Sequence, residues 1–370
     1  MLKTIFIHYT SDILGGSDKS LYELVESLDK SHIIPIMILK KNDPMIIEYE
    51  KLNIKVYSLI FYGPPKKLFS KRAFLFLLTF IPSVFHILKI IKKEKPETIH
   101  INTSLNIQGG LGAYFSKVPF VWHIREIMGN GILDSLIKKI VCKLSTKTIA
   151  ISNAVKENYN CKNTAIIYNG MNLEEYKILK KTKNKENIVI TCIGRFEEWK
   201  GQHILVESLP RVLKSQDNIL VQFVGGAASA KPEYLKKVTN RVLELNLSNK
   251  VKFLGLRNDV PKILSKTDIL VVPTSTSEPF GRTIIEGMAS ECIVIATASG
   301  GPLEIINNNK TGFLITPNSV NELSNILIKI TDNIDAYHFI GSEAKKVVYK
   351  QYDIKRVASE VELKLKELKK

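Results

Sequence analysis

The chain predicts an α/β protein made of two doubly wound parallel sheets that face each other across a cleft. Three observations carry this reading. Its 370 residues are long for a single core. Short apolar runs alternate with helix-length segments along nearly the whole length, the pattern of strands joined by crossover helices. The alternation is broken once, from Lys177 to Asn187, by a lysine- and asparagine-rich stretch of low hydrophobicity. The division is therefore 1–180, 181–350, and a closing helix over 351–370 that packs back toward the first domain.

In the first half, Thr4–Tyr9 reads as a strand and Thr10–Ser17 as a loop holding Gly15-Gly16. Lys19–Leu28 then has helical periodicity. Further strands are expected at Ile34–Leu39, Lys55–Ile60, Thr98–Asn102, Phe120–His123, Thr148–Ser152 and Ala165–Tyr168. Runs apolar on both faces imply a parallel sheet covered by helices on each side. The second half repeats the scheme, with strands at Ile188–Ile193, Ile219–Val224, Val251–Phe253, Ile269–Pro273, Ile293–Thr297 and Gly312–Ile315. Helices fall at Gln202–Leu213, Tyr234–Leu245 and Val260–Ser265, and Ile354–Leu368 closes the chain.

Composition narrows the class. Hydrophobic residues make up 45% and charged residues 24%, as in an ordinary globular protein. The net charge of +17 is uneven, +13 over residues 1–185 and +4 over the remainder. A basic half points to anionic lipid, nucleic acid or phosphorylated substrates, or to lysines spread over solvated faces. No nucleic-acid motif accompanies it. Cys142, Cys161, Cys192 and Cys292 are far apart with no C-x-x-C pair, which argues against a disulfide framework and fits a reducing compartment. The N-terminus reads as a first strand and has no signal-peptide pattern.

Ala73–Leu88 lacks any charged residue and is flanked by Lys66, Lys67, Lys71 and Arg72 before it and by Lys89, Lys92, Lys93 and Lys95 after it. Pro82 and His86 interrupt it, and a span needs about 20 apolar residues. A buried helix is expected. A helix lying on an anionic bilayer surface is the functional alternative.

The chemistry gathers in Thr276–Ile305, which contains Glu278-Pro-Phe-Gly281-Arg-Thr283 and Glu286 and ends in Gly300-Gly301-Pro302. A buried strand precedes it, and Pro279 stops that strand from continuing. Strand, tight turn and helix N-terminus place backbone N–H groups where they can face an anion. Two carboxylates eight positions apart bracket the start of that helix.

With these residues in view, the chain resembles glycosyltransferase family 4, retaining enzymes of GT-B fold with two Rossmann-like domains. The resemblance rests on Gly15-Gly16, Asn169-Gly170, Gly194-Arg195 through Lys200-Gly201, Phe253-Leu-Gly255 through Asp268 to Pro273, and the Glu-x7-Glu stretch, all in the family's order. It implies that Glu278 holds hydroxyls of the transferred sugar and Glu286 the ribose 2′- and 3′-hydroxyls. Backbone N–H groups of Phe280 and Gly281 would touch the sugar, and those around Thr283 the phosphate. Arg195 and Lys200 would stabilise the leaving diphosphate, as fixed cations do best where charge develops. His123 would lie near the reacting carbon, Gly15 and Gly16 near the diphosphate and sugar, and the backbone at Arg257 beside the base. Ser17-Asp18 stands where the family often has a glutamate.

The implied reaction moves a hexose or N-acetylhexosamine from a nucleotide diphosphate sugar, UDP-sugars favoured, to a glycan or lipid-linked acceptor. The nucleotide sugar is a co-substrate, with no cofactor and no metal expected, since no Asp-x-Asp pair sits at a strand end beside the cleft. Cell-surface polysaccharide synthesis, such as O-antigen, lipopolysaccharide or capsule, is the implied setting. The place is the cytoplasm, peripheral to the inner face of the plasma membrane. A GT-B epimerase or a non-catalytic binding relative are the alternatives.

Overall fold

The computed structural model describes residues 1–9, 15–65, 69–178, 186–227 and 232–369. Most of the Thr10–Ser17 loop, Lys66 and Lys67, and the expected boundary at 180/181 lie outside these. The chain forms two compact units, Met1–Met171 with Ile354–Lys370, and Asn172–Asp353.

The first unit is a seven-stranded parallel sheet. Its strands are β1 (Leu2–His8), β2 (Ile33–Lys40), β3 (Lys55–Leu59), β4 (Thr98–Asn102), β5 (Phe120–Ile124), β6 (Lys147–Ala150) and β7 (Thr164–Ile166). They lie in the order β3-β2-β1-β4-β5-β6-β7. The winding reverses between β1 and β4, so the carboxyl ends of those strands flank a topological switch point. Helices α1 (Gly16–Glu26), α2 (Met45–Lys51), α3 (Lys71–Glu94), α4 (Ile107–Ser116) and α5 (Ile132–Leu144) follow successive strands. On one face, Leu21, Leu24 and Val25 of α1 and Tyr49 of α2 share a core with Phe6 and Met37. The C-terminal helix Ile354–Leu368 adds Ile354, Val357, Val361 and Leu365 to that core. On the other face α4 lies so close to β5 that a Cβ on Gly110 would come within 2.2 Å of Trp122.

Two expectations are corrected here. The Ala73–Leu88 segment is helical within α3, but it is not a buried helix: only 22% of its apolar window is covered. Ala73, Ser83, Ile87, Ile90 and Ile91 face inward, while Phe74, Leu77, Leu78, Ile81 and Phe85 are exposed. Pro82 does not break the helix. Side chains one turn away take up carbonyls around it: Thr79 Oγ1 donates to the Leu75 carbonyl, Ser83 Oγ to that of Phe80, and His86 Nδ1 lies 2.8 Å from that of Pro82. Second, Cys142 and Cys161 are joined by a disulfide. Nineteen residues apart in sequence, they meet because β6 and β7 are adjacent and α5 leads into β6. The cysteine pattern therefore gives no support to a reducing compartment.

The second unit is a six-stranded parallel sheet of β8 (Ile188–Ile193), β9 (Ile219–Val224), β10 (Val251–Phe253), β11 (Ile269–Val272), β12 (Ile293–Thr297) and β13 (Phe313–Ile315). The order is β10-β9-β8-β11-β12-β13, with its own switch point between β8 and β11. The loops leaving those two strands carry Arg195, Lys200 and Glu278.

Candidate active site

In the second unit the chain after β8 runs Gly194-Arg195-Phe196 and turns through Glu198–Lys200 into the helix Gln202–Ser215. Gly201 makes that turn with φ +70°, and a Cβ there would lie 1.8 Å from the Pro273 carbonyl oxygen. Only glycine lets this loop touch the end of β11 so closely. The contact sets Lys200 beside the loop that follows β11: its Nζ lies 2.8 Å from Glu278 Oε2, with 19% and 12% of the two side chains exposed. The same ammonium lies 3.9 Å from the Trp199 ring centroid. Trp199 in turn donates from Nε1 to Glu197.

Glu278 is fixed from both sides in sequence. Its N–H donates to the Ser299 carbonyl at 3.2 Å, and its carbonyl accepts from Gly301 N–H at 2.8 Å. Gly300 has φ +78°, and a Cβ there would sit 2.3 Å from the Glu278 carbonyl oxygen. The glycine pair ending the Thr276–Ile305 stretch is thus what allows the two loops to lie against each other. Phe280 buries its ring against Tyr352, leaving only its backbone for a ligand. Gly281 is the N-cap of the helix Arg282–Ala289, and Thr283 lies in its first turn.

The structure therefore brings Lys200 and Glu278 together, while Arg195 and Glu286 have other charged partners. Arg195 pairs loosely with Glu197 at 3.7 Å and does not join the Lys200–Glu278 contact. Glu286 lies within the helix, buried, with Oε1 3.2 Å from Arg282 Nε. Arg282 is a residue that sequence reading missed; an arginine four positions before a helical glutamate is the signal that could have found it. Arg257 is exposed and donates twice to Asp259, holding that carboxyl below its ordinary value. Ala228 and Ser229, beyond Gly225-Gly226, lie outside the described residues.

In the first unit, Gly15 is the N-cap of α1, and its N–H donates to Asp18 Oδ2 at 2.6 Å. Its φ of −125° is open to any residue, and a Cβ on Gly16 would meet nothing within 4 Å among the described residues. His123, near the end of β5, is buried, and its Nδ1 lies 3.1 Å from His100 Nε2. Its Nε2 has no hydrogen-bond partner among the described residues. Burial, with Arg125 nearby, pushes His123 well below the ordinary imidazole value and His100 down to about 3. Among the described residues no group of three or more His, Cys, Asp or Glu side chains is placed to hold a metal ion.

Comparison with known proteins agrees with this architecture. Residues 14–175 match Glycosyltransferase Family 4, and residues 174–347 match Glycosyl transferases group 1. An uncharacterised glycosyltransferase of Methanocaldococcus jannaschii is 30% identical over 269 residues, 70% of this chain and 72% of that protein. The UDP-Gal:alpha-D-GlcNAc-diphosphoundecaprenol alpha-1,3-galactosyltransferase of Escherichia coli is 26% identical over 286 residues, again 70% and 72%. The crystal structure of Anabaena HepE in complex with UDP and glucose matches with a TM-score of 0.83 at 23% identity, covering 99% of this chain and 100% of that one. That likeness speaks to the fold, which is GT-B. Taken with the two family matches, which meet near residue 175, these comparisons make the chain a member of glycosyltransferase family 4.

Proposed function

We propose that the protein is a retaining, metal-independent hexosyltransferase that moves a hexose or N-acetylhexosamine from a UDP-sugar to a lipid-linked or anionic glycan in surface-polysaccharide synthesis. The observation that carries the reading is the Lys200–Glu278 pair at the switch point. A lysine and a glutamate held 2.8 Å apart can be parted by a ligand offering each a better partner. A diphosphate draws the ammonium, and a sugar diol draws the carboxylate. Arg195 and the N–H groups at Gly281 and Thr283 add to the stabilisation of the leaving phosphate. Glu286, oriented by Arg282, takes the ribose diol, and backbone near Arg257 takes the base. The departing β-phosphate accepts the acceptor's proton in a front-face transfer through an oxocarbenium-like state. Gly15, Gly16 and His123 serve the donor sugar. His123 is enclosed and must be uncovered to do so.

Screening nucleotide sugars by thermal shift tests the donor class. A UDP-sugar is expected to raise Tm by several degrees at 100 times its Kd, a stabilisation of about 2.7 kcal/mol. If no UDP- or GDP-sugar moves the melting curve, the reading is wrong.

The acceptor side of the proposal rests on α3. Phe74, Leu77, Leu78, Ile81 and Phe85 follow i, i+3, i+4, i+7 and i+11 spacing, which makes one exposed apolar stripe. Lys71 and Arg72 precede the stripe and Lys89, Lys92 and Lys93 follow it. The helix's one carboxylate, Glu94, is buried and engaged by Lys55 and Tyr57. Apolar in the middle and cationic at both ends, the face fits an anionic bilayer surface. It lies on the surface and does not span, because Ile87, Ile90 and Ile91 are built into the domain. Vesicles of equimolar phosphatidylcholine and phosphatidylglycerol are expected to sediment the protein, and phosphatidylcholine alone to sediment far less. Leu78→Glu with Ile81→Glu is expected to leave most of it in the supernatant. A wild-type protein that stays in solution and dimerises through this face would overturn the membrane reading.

A further inference from the structure

At the switch point of the first unit, polar side chains from neighbouring strand ends form a directional chain of hydrogen bonds. His8 ends β1, Asn102 ends the neighbouring β4 and pairs with it in register, and Arg125 follows β5. Asp18 lies in the first turn of α1. All four side chains are buried. Arg125 Nε donates to Asn102 Oδ1 at 2.6 Å, and Arg125 Nη1 donates to Asn169 Oδ1 at 2.5 Å. Asn102 Nδ2 lies 2.9 Å from His8 Nδ1, His8 Nε2 lies 2.7 Å from Asp18 Oδ1, and Gly15 N–H donates to Asp18 Oδ2.

The direction of each bond follows from chemistry. A guanidinium only donates, so the oxygen of the Asn102 amide must face Arg125 and its NH2 must face His8. His8 Nδ1 must then accept, which leaves the imidazole proton on Nε2, where it is donated to Asp18. The tautomer of His8 is imposed two residues away, by Arg125. A carboxylate that accepts from both His8 and Gly15 N–H fixes the start of α1 and the glycine beside it.

We propose that Asp18, His8, Asn102 and Arg125 are positioning residues that hold Gly15-Gly16 in place for sugar transfer and tie that loop to the Asn169-Gly170 segment. This rests on the proposed role of Gly15 and Gly16 toward the donor sugar. Asp18, at the position where a glutamate was expected, is in this account a structural acceptor for His8 and Gly15. Asp18→Asn presents an NH2 or a carbonyl to His8 Nε2. In the first case donor meets donor, and relief by a tautomer change puts a second clash at Asn102; in the second the NH2 faces the Gly15 N–H, so the hold on the glycine is lost instead.

Histidine-selective 15N NMR on the full chain reads the tautomer directly. Wild-type His8 is expected to be the Nε2–H form, while Asp18→Asn shifts or broadens that signal. Arg125→Lys, which keeps the charge but cannot repeat both contacts, is expected to do the same. In transfer assays Asp18→Asn is expected to lower kcat about 10- to 100-fold, as small misplacements of positioning groups do, with stabilisation by UDP unchanged. His8 as the Nδ1–H tautomer in the wild type overturns the proposal. So does either variant folding with the His8 signal and kcat unaltered. If UDP-sugars fail to stabilise the wild type but the tautomer and its response are as expected, the donor reading fails and the relay stands. If Asp18→Asn does not fold, the wild-type tautomer and Arg125→Lys decide the question.

Discussion

Lys200→Ala is expected to lower kcat about 10²- to 10³-fold, the loss seen when one preorganised donor to a developing anion is removed. Donor KM is expected to change only a few-fold. The asymmetry follows from when the charge is needed. The β-phosphate gains charge as the glycosidic bond breaks, so a cation at the switch point between β8 and β11 counts more in the transition state than in the bound substrate. Lys200 is held ready by Trp199 on one side and Glu278 on the other. Its loss also leaves Glu278, largely covered, without its cation. Lys200→Arg is expected to recover little, because the planar fork cannot occupy the place of a point charge packed on an indole. Arg195→Ala is expected to cost less than Lys200→Ala, since Arg195 is more exposed and its charged partner Glu197 lies 3.7 Å away. Steady-state kinetics with a UDP-sugar decide this. An unchanged rate in Lys200→Ala would remove the lysine from the mechanism.

Strands were far more legible in the sequence than contacts. Thr98–Asn102, Ile188–Ile193, Ile219–Val224, Val251–Phe253 and Ile293–Thr297 are strands with the bounds expected of them. Parallel strands covered on both faces are continuous apolar runs, and the helices between them fix where they stop. The C-terminal helix was equally readable from its periodicity. What failed were statements about what an element packs against. An uncharged segment says "apolar" but not "covered", so α3 was expected inside and has a bare stripe. The cysteine pair had no sequence signal because adjacency of β6 and β7 is a property of the sheet. Site chemistry divides the same way. Glu278, Lys200 and the glycines stood out by motif, but the Lys200–Glu278 pairing joins residues 78 apart and could not be read from spacing. Nothing in the sequence singles out His8, Asn102 and Arg125 as a group. Only the register of β1 against β4 makes them a chain.

The buried histidines predict how stability depends on pH. His100 and His123 are neutral in the folded chain because burial and the Arg125 charge oppose protonation, with His100 held down to about 3. In the unfolded chain both titrate near the ordinary value of about 6.5. Below that value the unfolded state binds protons that the folded state refuses, so stability is complete above about pH 6.5 and falls as pH drops toward 3. At pH 5 the cost for His100 alone is about 2 kcal/mol. Counting His100 alone, Tm is expected to fall by about 4–8 °C between pH 7 and pH 5, taking 2–4 °C per kcal/mol for a domain of this size, and His123, held down by the same burial, adds to the fall. Carboxylates change little over that interval, so the window isolates the imidazoles. His100→Gln keeps a donor and an acceptor beside His123 but cannot titrate, and it is expected to reduce the loss. Calorimetric melting of wild type and variant at pH 7, 6 and 5 measures it. A wild-type Tm that stays level across the interval would mean that one or both imidazoles accept a proton in the fold. That would require water or a carboxylate to reach His123 Nε2 or His100 Nδ1, both without a hydrogen-bond partner among the described residues.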